Sequence, residues 1–377
     1  MSDPDDRFRV IYRLAAGDEA EARARAKAVA IENTVEVPED VIPAGYIADI
    51  VAGRVEDVVP EAPGFWSAEI GYHIDAVGSD LPQFLNVVLG NASIFRGVKA
   101  MGLVPNAAVR SRFPGARFGA AGLRARVGRS GGYLCPVLKP QGATIAELAR
   151  LAHDTARAGA DIIKEDHGLA DQDSAPFSDR VPALADAVAH ANAARATAGE
   201  TARALYFAHV TGPAHTVHDR AFAAKDAGAD GILMIPGLLG FDAMHQLARD
   251  PSFGLPIMAH PAHLGPYVLS AETGYAHGLL FGTLMRLAGA DISVFPNHGG
   301  RFGFSRHECD AIAHACAETA SPGRPILPSP GGGMSPERLP EMRRQYGDDA
   351  VYLLGGSILG AGDRLGAVVA ELRAALA

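Results

Sequence analysis

The chain has 377 residues, 48% of them hydrophobic and 20% charged, with a net charge of −9. That length fits one large barrel plus a smaller domain, and the composition is ordinary for a well-buried enzyme. An acidic balance with no basic block excludes nucleic acid and anionic membrane as expected partners, no apolar run is long enough to span a bilayer, and the polar start Met1–Arg7 is unlike a signal peptide, so the expected location is cytoplasmic.

From the amino terminus, Arg7–Leu14 reads as a strand, Glu19–Ile31 as an Ala/Arg-rich helix, and Pro63–Tyr72 and Phe84–Leu89 as further strands. They predict a small α+β domain over residues 1–125, with the Gly/Arg-rich stretch Arg110–Arg129 serving as a linker. Beyond it the pattern changes. The tetrapeptide Ala-Gly-Ala-Asp recurs at Ala158–Asp161, Ala227–Asp230 and Ala288–Asp291, each time between a helical pattern and an apolar run. Its glycine suits a helix end that turns left-handed. Buried-strand candidates are Tyr133–Leu138, Ile162–Ile163, Ala204–Val210, Gly231–Ile235, Pro256–Ala259, Ile292–Phe295, Pro325–Leu327 and Val351–Leu354. Helical patterns fall between them at Thr144–Ala158, Pro182–Ala198, Val217–Ala227, Asp242–Arg249, Asp310–Thr319 and Asp363–Leu376, with another opened by Ser335–Pro336. Thr144 with Glu147, and Ser305 with Glu308, have capping-box spacing. Eight alternating units predict an α/β fold in which residues 126–377 form a closed (β/α)₈ TIM barrel rather than an open doubly wound sheet. Cys135, Cys309 and Cys316 lack paired spacing and are expected to be free thiols.

In a barrel the residues just past each strand line the site. The second strand runs straight into Lys164–Glu165–Asp166–His167. Unpaired charge is costly to bury, so oxygen and imidazole ligands gathered there suggest a divalent metal; the plainer reading is a solvated loop that caps the next helix. The first strand ends in Lys139–Pro140–Gln141, and a lysine closing an apolar strand is a candidate for proton transfer unless it is an ordinary loop lysine. His209 and Thr211, His260 and His263, and Asn297 and His298 follow strands three, five and six. Gly331–Gly332–Gly333 and Gly355–Gly356 end strands seven and eight, where barrels often hold phosphate on backbone N–H groups. Ordinary turns are the alternative for these glycines.

These residues, in this order, resemble the ribulose-bisphosphate carboxylase (RuBisCO) large-subunit superfamily over essentially the whole chain, and within it the RuBisCO-like proteins of form IV. The resemblance implies a ferredoxin-like N-terminal domain ahead of the barrel. Lys164–His167 is similar to the family's Lys-Asp-Asp-Glu segment, which implies Lys164 carbamylated by CO₂ and one Mg²⁺ per subunit held by Lys164, Asp166 and His167. Lys139–Pro140 is similar to the start of its Lys-Pro-Lys motif, implying proton handling by Lys139. His260 matches a catalytic barrel histidine. Gly331, Gly332, Gly355 and Gly356 match phosphate-binding glycines, with His298 and Arg301 in the sixth loop as further substrate contacts. Glu32 with Thr34, and Gly90–Asn91, match N-domain segments that complete a neighbouring subunit's site, which implies a homodimer or higher oligomer with shared sites.

The chain also departs from the carboxylase pattern. His167 stands for a glutamate ligand, Gln141 for a lysine, Pro261 for a phosphate-binding arginine and Pro330 for a serine, and no lysine occurs in Asn297–Arg306. No CO₂ fixation is therefore expected. The expected activity is metal-dependent enediolate chemistry on a phosphorylated ketose or keto-sugar acid. The substituted ligand segment and the Asn-His-Gly-Gly-Arg loop lean toward decarboxylation. Isomerase or enolase chemistry, as in methylthioribulose phosphate metabolism, is the alternative, with a silent ligand-binding paralogue or a Schiff-base aldolase behind it.

Overall fold

The computed structural model of the chain describes Asp3 and residues 5–376. The N-terminal part runs β1 (Arg7–Ala15), α1 (Glu19–Glu32), β2 (Arg54–Ala62), β3 (Phe65–His73), α2 (Leu81–Leu89) and β4 (Val98–Val104). Its antiparallel strands lie in the order β4-β1-β3-β2, the ferredoxin-like arrangement. Phe8, Val10, Tyr12 and Leu14 alternate along β1 and are fully buried, as one face of a strand requires. Two expectations fail here. Phe84–Leu89 lies in helix α2, not a strand: Asp80 caps it by accepting from the Gln83 N–H, and Leu81, Phe84 and Val88 recur at helical spacing inside the apolar run. Arg110–Arg129 is not a linker but carries helices α3 (Ala107–Arg112) and α4 (Gly119–Val127). Leu123 and Val127 of α4 pack into the barrel's inner cluster, so the expected division at 125/126 falls inside this helix.

The barrel follows as β5 (Tyr133–Leu138), α5 (Ile145–Arg157), β6 (Ile162–Glu165), α6 (Phe177–Thr197), β7 (Leu205–His209), α7 (Val217–Asp226), β8 (Gly231–Met234), α8 (Pro236–Leu239), α9 (Phe241–Arg249) and β9 (Ile257–Ala259). A two-residue strand β10 (Gly274–Tyr275) leaves the barrel and pairs with β4 of the N-terminal sheet. Then come α10 (Met285–Leu287), β11 (Ile292–Pro296), α11 (Arg306–Ala317), β12 (Leu327–Gly331), α12 (Leu339–Tyr346), β13 (Val351–Leu354), α13 (Gly356–Leu359) and α14 (Leu365–Ala375). Both expected capping boxes are formed, at Thr144 and Ser305. The eight parallel strands run β12-β11-β9-β8-β7-β6-β5-β13. The three cysteines are buried free thiols. Among the described residues no helix is long and apolar enough to cross a membrane.

The repeated tetrapeptide has a mechanical role. Asp161, Asp230 and Asp291 each precede a strand, and each carboxylate accepts an N–H from the first or second residue of the preceding strand: Leu134 at 2.8 Å, Tyr206 at 3.0 Å and Ile257 at 3.0 Å. The same aspartates' N–H groups donate back to the carbonyls of those residues. The amino end of the barrel is thus clasped by side chains. At the seam, β12 meets β13 without a ladder. The Leu327 N–H donates toward β11, so by alternation positions 328 and 330 face β13, and both are prolines without an N–H. The Ser329 hydroxyl bridges the seam instead, donating to the Val351 carbonyl at 3.0 Å.

Candidate active site

Strand alternation decides which side chains reach the interior. Cys135 and Val137, Ile162, Phe207, Met258, Val294, Leu327 and Leu353 form the inner cluster. Two residues further along each strand, the same parity gives Lys139, Lys164, His209, His260, Gly331 through Ser329, and Gly355. All of these but His209 line one cavity of about 910 Å³ at the carboxyl end of the barrel, together with Asp166, His167, Arg301, Gly332 and Gly356. Parity sends Glu165 the other way, between β6 and the helical layer. There it accepts from Arg180 Nε at 2.8 Å, the Tyr206 hydroxyl at 2.9 Å and the His209 N–H at 2.7 Å. Both members of that ion pair are fully buried.

Within the cavity Lys139 Nζ lies 2.9 Å from Asp166 Oδ2, with about a third of its side chain exposed. The lysine is therefore paired and partly hydrated, not stripped of water as its place after an apolar strand suggests. Burial would raise the Asp166 carboxyl, but the bond from Lys139, the Gly168 N–H and the charge of Lys164 outweigh it and hold it below the usual carboxylate range. Lys164 is buried and donates to the Glu165 carbonyl at 2.7 Å; burial lowers its ammonium to about 8. The rings of His167 and His260 stack, 4.0 Å apart and 19° from parallel. Burial, then the charge of Lys164, keeps His260 well below the ordinary imidazole value, so it is neutral. Its Nδ1 accepts from the Ala262 N–H at 3.2 Å, which places the ring proton on Nε2 as a donor. His209 is the converse: buried, pushed by burial to about 4, with Nδ1 2.7 Å from the Leu169 carbonyl and Nε2 lacking a partner.

The glycine loops are shaped for close approach. Gly332 and Gly333 have φ of +72° and +70°. A Cβ on Gly332 would meet the Phe302 ring at 2.6 Å, and one on Gly333 would meet Gly300 Cα at 2.5 Å, so only glycine fits where the sixth and seventh loops touch. Arg338 ties the same loops by donating to the carbonyls of His298 (3.0 Å) and Gly333 (2.7 Å). Lys139, Lys164 and Arg301 against the single carboxylate Asp166 leave the cavity net positive.

One expected contact does not reach it. His298 turns away, its Nε2 2.8 Å from Gln345 Oε1. Glu32 and Asn91, expected at a neighbouring subunit's site, meet each other at 3.2 Å on the N-terminal domain, outside the cavity lining of their own chain. Conversely, Leu269, Phe281, Phe302, Phe304 and Met334 form an apolar wall that no sequence motif announces. Only the alternation of Phe302 and Phe304 after Arg301 hinted at it.

As unmodified side chains the expected metal ligands do not close a site. Among the described residues no group of three His, Cys, Asp or Glu is placed to hold a metal ion, and Asp166 stands between two lysines. A carbamate on Lys164 would exchange one cation for an anion beside Asp166 and His167. The chemistry fits, since the lysine's lowered value leaves reactive neutral amine near neutral pH.

The family profile described as the ribulose bisphosphate carboxylase large chain, catalytic domain, matches residues 121–312. The chain is 38% identical to 5-methylthioribulose-1-phosphate isomerase of Rhodospirillum rubrum over 96% of its own length and 93% of that protein's. It is 33% identical to 2,3-diketo-5-methylthiopentyl-1-phosphate enolase of Bacillus pumilus, over 82% of this chain and 76% of the relative. The crystal structure of a RuBisCO-like protein from Rhodopseudomonas palustris superposes with a TM-score of 0.86 at 34% identity, covering 99% of this chain and 98% of that one.

Proposed function

The chain belongs to the ribulose bisphosphate carboxylase large-chain family, among its RuBisCO-like proteins, and from that premise we propose that it moves a proton on a phosphorylated ketose through an enediolate, as an isomerase or enolase. The observation that carries this is the net-positive cavity in which Lys139, Asp166 and His260 face glycine loops fit for phosphate. Proton transfer is favoured over decarboxylation because one relative is a 5-methylthioribulose-1-phosphate isomerase and the other a 2,3-diketo-5-methylthiopentyl-1-phosphate enolase. The two reactions share the enediolate, so the decarboxylase reading survives as one arm of the test.

The phosphate would sit on the N–H groups of Gly332, Gly333, Gly355 and Gly356, with Arg301 adding charge. Gly355 packs near Lys139, whose Nζ lies 3.6 Å from where a Cβ on that glycine would be. An anchored phosphate therefore presents the adjacent carbons to the lysine. His260 Nε2–H donates to the oxygen that gains charge, as a neutral imidazole can. Lys139 carries the proton between carbons, with Asp166 stabilising its charged state. With Lys164 carbamylated, the carbamate, Asp166 and His167 would hold Mg²⁺, and the chemistry the ion supplies is polarisation of the substrate carbonyl. Glu32 and Asn91 lie outside their own cavity, so in this reading they serve a partner's site in a homodimer. Exposed Tyr46 and Ile94 on the N-terminal domain, and Tyr267 and Phe302 at the barrel mouth, supply apolar surface for that contact.

The test is proton NMR in D₂O with a panel of ketose phosphates and keto-sugar-acid phosphates, CO₂ and Mg²⁺ being present. Deuterium entering carbon next to the carbonyl is the expected result. Labelled CO₂ leaving a sugar acid would make the decarboxylase the correct reading, and silence on both panels would remove the enzymatic reading. With ribulose 1,5-bisphosphate, no labelled bicarbonate should reach phosphoglycerate, because the sixth loop carries no lysine.

A further inference from the structure

The segment between β9 and β10 forms one wall of the cavity. It starts at His260, passes His263 in a left-handed conformation (φ +68°), and contributes Gly265 and Leu269 to the lining. β9 lies four strands round the barrel from β5, so this wall faces Lys139 across the cavity. The segment then leaves the barrel, and β10 pairs in parallel with β4, Gly274 opposite Lys99 and Tyr275 opposite Ala100. The turn is tight: Gly274 has φ +84°, and a Cβ there would meet the Tyr267 carbonyl oxygen at 2.2 Å.

Lys99 belongs to the N-terminal domain yet is 6% exposed. Its Nζ donates to the Ser270 carbonyl at 2.5 Å and reaches the Val268 carbonyl at 3.4 Å. Those carbonyls bracket Leu269, a wall residue that is 64% exposed and so is not held by packing. An ammonium between two carbonyls makes charge-assisted bonds, the strong kind, and here the bond to Val268 is buried and that to Ser270 partly buried. The backbone on both sides of Leu269 is thereby fixed from a different domain.

We propose that Lys99 is a positioning residue of this chain's own cavity: by gripping the carbonyls on either side of Leu269 it sets the wall opposite Lys139, and with it how the end of the substrate remote from the phosphate is presented. The substrate part of this statement rests on the proton-transfer reading above; the grip itself does not.

The experiment compares the full-length wild type with Lys99→Met, Lys99→Arg and Leu269→Ala by hydrogen–deuterium exchange and by kinetics. In Lys99→Met the amides of 261–272 should exchange about tenfold faster while the barrel strands are unchanged. The KM for the ketose phosphate should rise about tenfold with kcat within threefold, and inorganic phosphate should bind as before. Lys99→Arg keeps two donors and should recover most of the KM. Leu269→Ala removes only an exposed side chain; it should reproduce the KM rise without faster exchange, and the two effects should not add in the double variant. Faster exchange with an unchanged KM would make Lys99 a strut between domains and overturn the proposal. Unchanged exchange in 261–272 would overturn it outright. If Lys99→Met fails to fold, an unchanged KM in Leu269→Ala overturns it and a raised KM with recovery in Lys99→Arg supports it. If the wild type turns over no ketose phosphate, the proton-transfer reading falls, and the exchange measurement still decides the grip.

Discussion

Lys139 and Lys164 end neighbouring strands, but one is ion-paired and partly hydrated while the other is buried against a carbonyl. Lys139→Met keeps most of the stem and removes the nitrogen. Turnover and solvent-deuterium incorporation should fall by ~10²–10⁴, with phosphate binding nearly unchanged, as measured by steady-state kinetics and titration. Lys164 makes a prediction about stability. Its folded value of about 8 lies below its ordinary 10.5. Between these the unfolded chain holds a proton that the folded chain has released, so stability rises with pH across that window. Below pH 8 the full cost of burying the ammonium is present, about 3 kcal/mol at most. In CO₂-free buffer Lys164→Met should therefore be more stable than wild type at pH 7 by ~1–3 kcal/mol, with the gap closing by about pH 10.5. Urea melts at the two pH values check it; a gap independent of pH would show that the ammonium is not the cause.

At the scale of elements, the three recurring aspartates join β5 to β6, β7 to β8 and β9 to β11 at the end remote from the chemistry. Asp291 does most. One oxygen accepts the N–H groups of Phe118 (2.8 Å) and Gly119 (2.6 Å), and the other accepts that of Ile257. It thus fixes the start of α4, the helix that plugs the barrel's amino end. Burial, against those three bonds, raises its carboxyl to about 6. Because the folded value is raised, this group's contribution is fullest in acid and is lost as pH climbs through 6. Asp291→Asn turns an amide toward one N–H that needs an acceptor. A loss of about 1–3 kcal/mol is expected, read as a lower urea midpoint with unchanged m-value. An unchanged midpoint would mean that α4 is held by Leu123 and Val127 alone.

The whole molecule joins two domains through an unusual exchange: the barrel lends β10 to the N-terminal sheet, and the sheet lends Lys99 to the barrel's wall. The N-terminal residues Glu32 and Asn91 remain unused within one chain. If they complete a partner's site, Lys139→Met and Asn91→Ala, each nearly inactive alone, should complement when co-expressed. Half of randomly assorted dimers are mixed and each mixed dimer has one intact site, so about a quarter of wild-type activity should return. No recovery from a verified mixed dimer would show that each chain works with its own residues only.

Much of this was legible in the chain because barrel strands obey a two-residue alternation and the site extends that same alternation. Lys139, Lys164 and His260 could be placed in the cavity by counting along apolar runs, and both capping boxes, the glycine loops and seven of the eight strands were readable for the same local reason, while the expected strand Pro325–Leu327 meets β12 at Leu327 alone. What failed were features without a local signal. Phe84–Leu89 is apolar throughout, so its helical period was hidden, and the Gly/Arg composition of Arg110–Arg129 masked a helix stabilised by a distant carboxylate, Asp291. The state of Lys139 depended on a carboxylate 27 positions away, and the turning of His298 on Gln345. The sequence by itself determined which side chains stand at the mouth of the barrel, since that is a matter of period and strand end. Only the tertiary structure decided their charge partners, their burial and the wall they face, because these are set by groups far apart along the chain that meet only when the barrel closes and the N-terminal sheet docks on it.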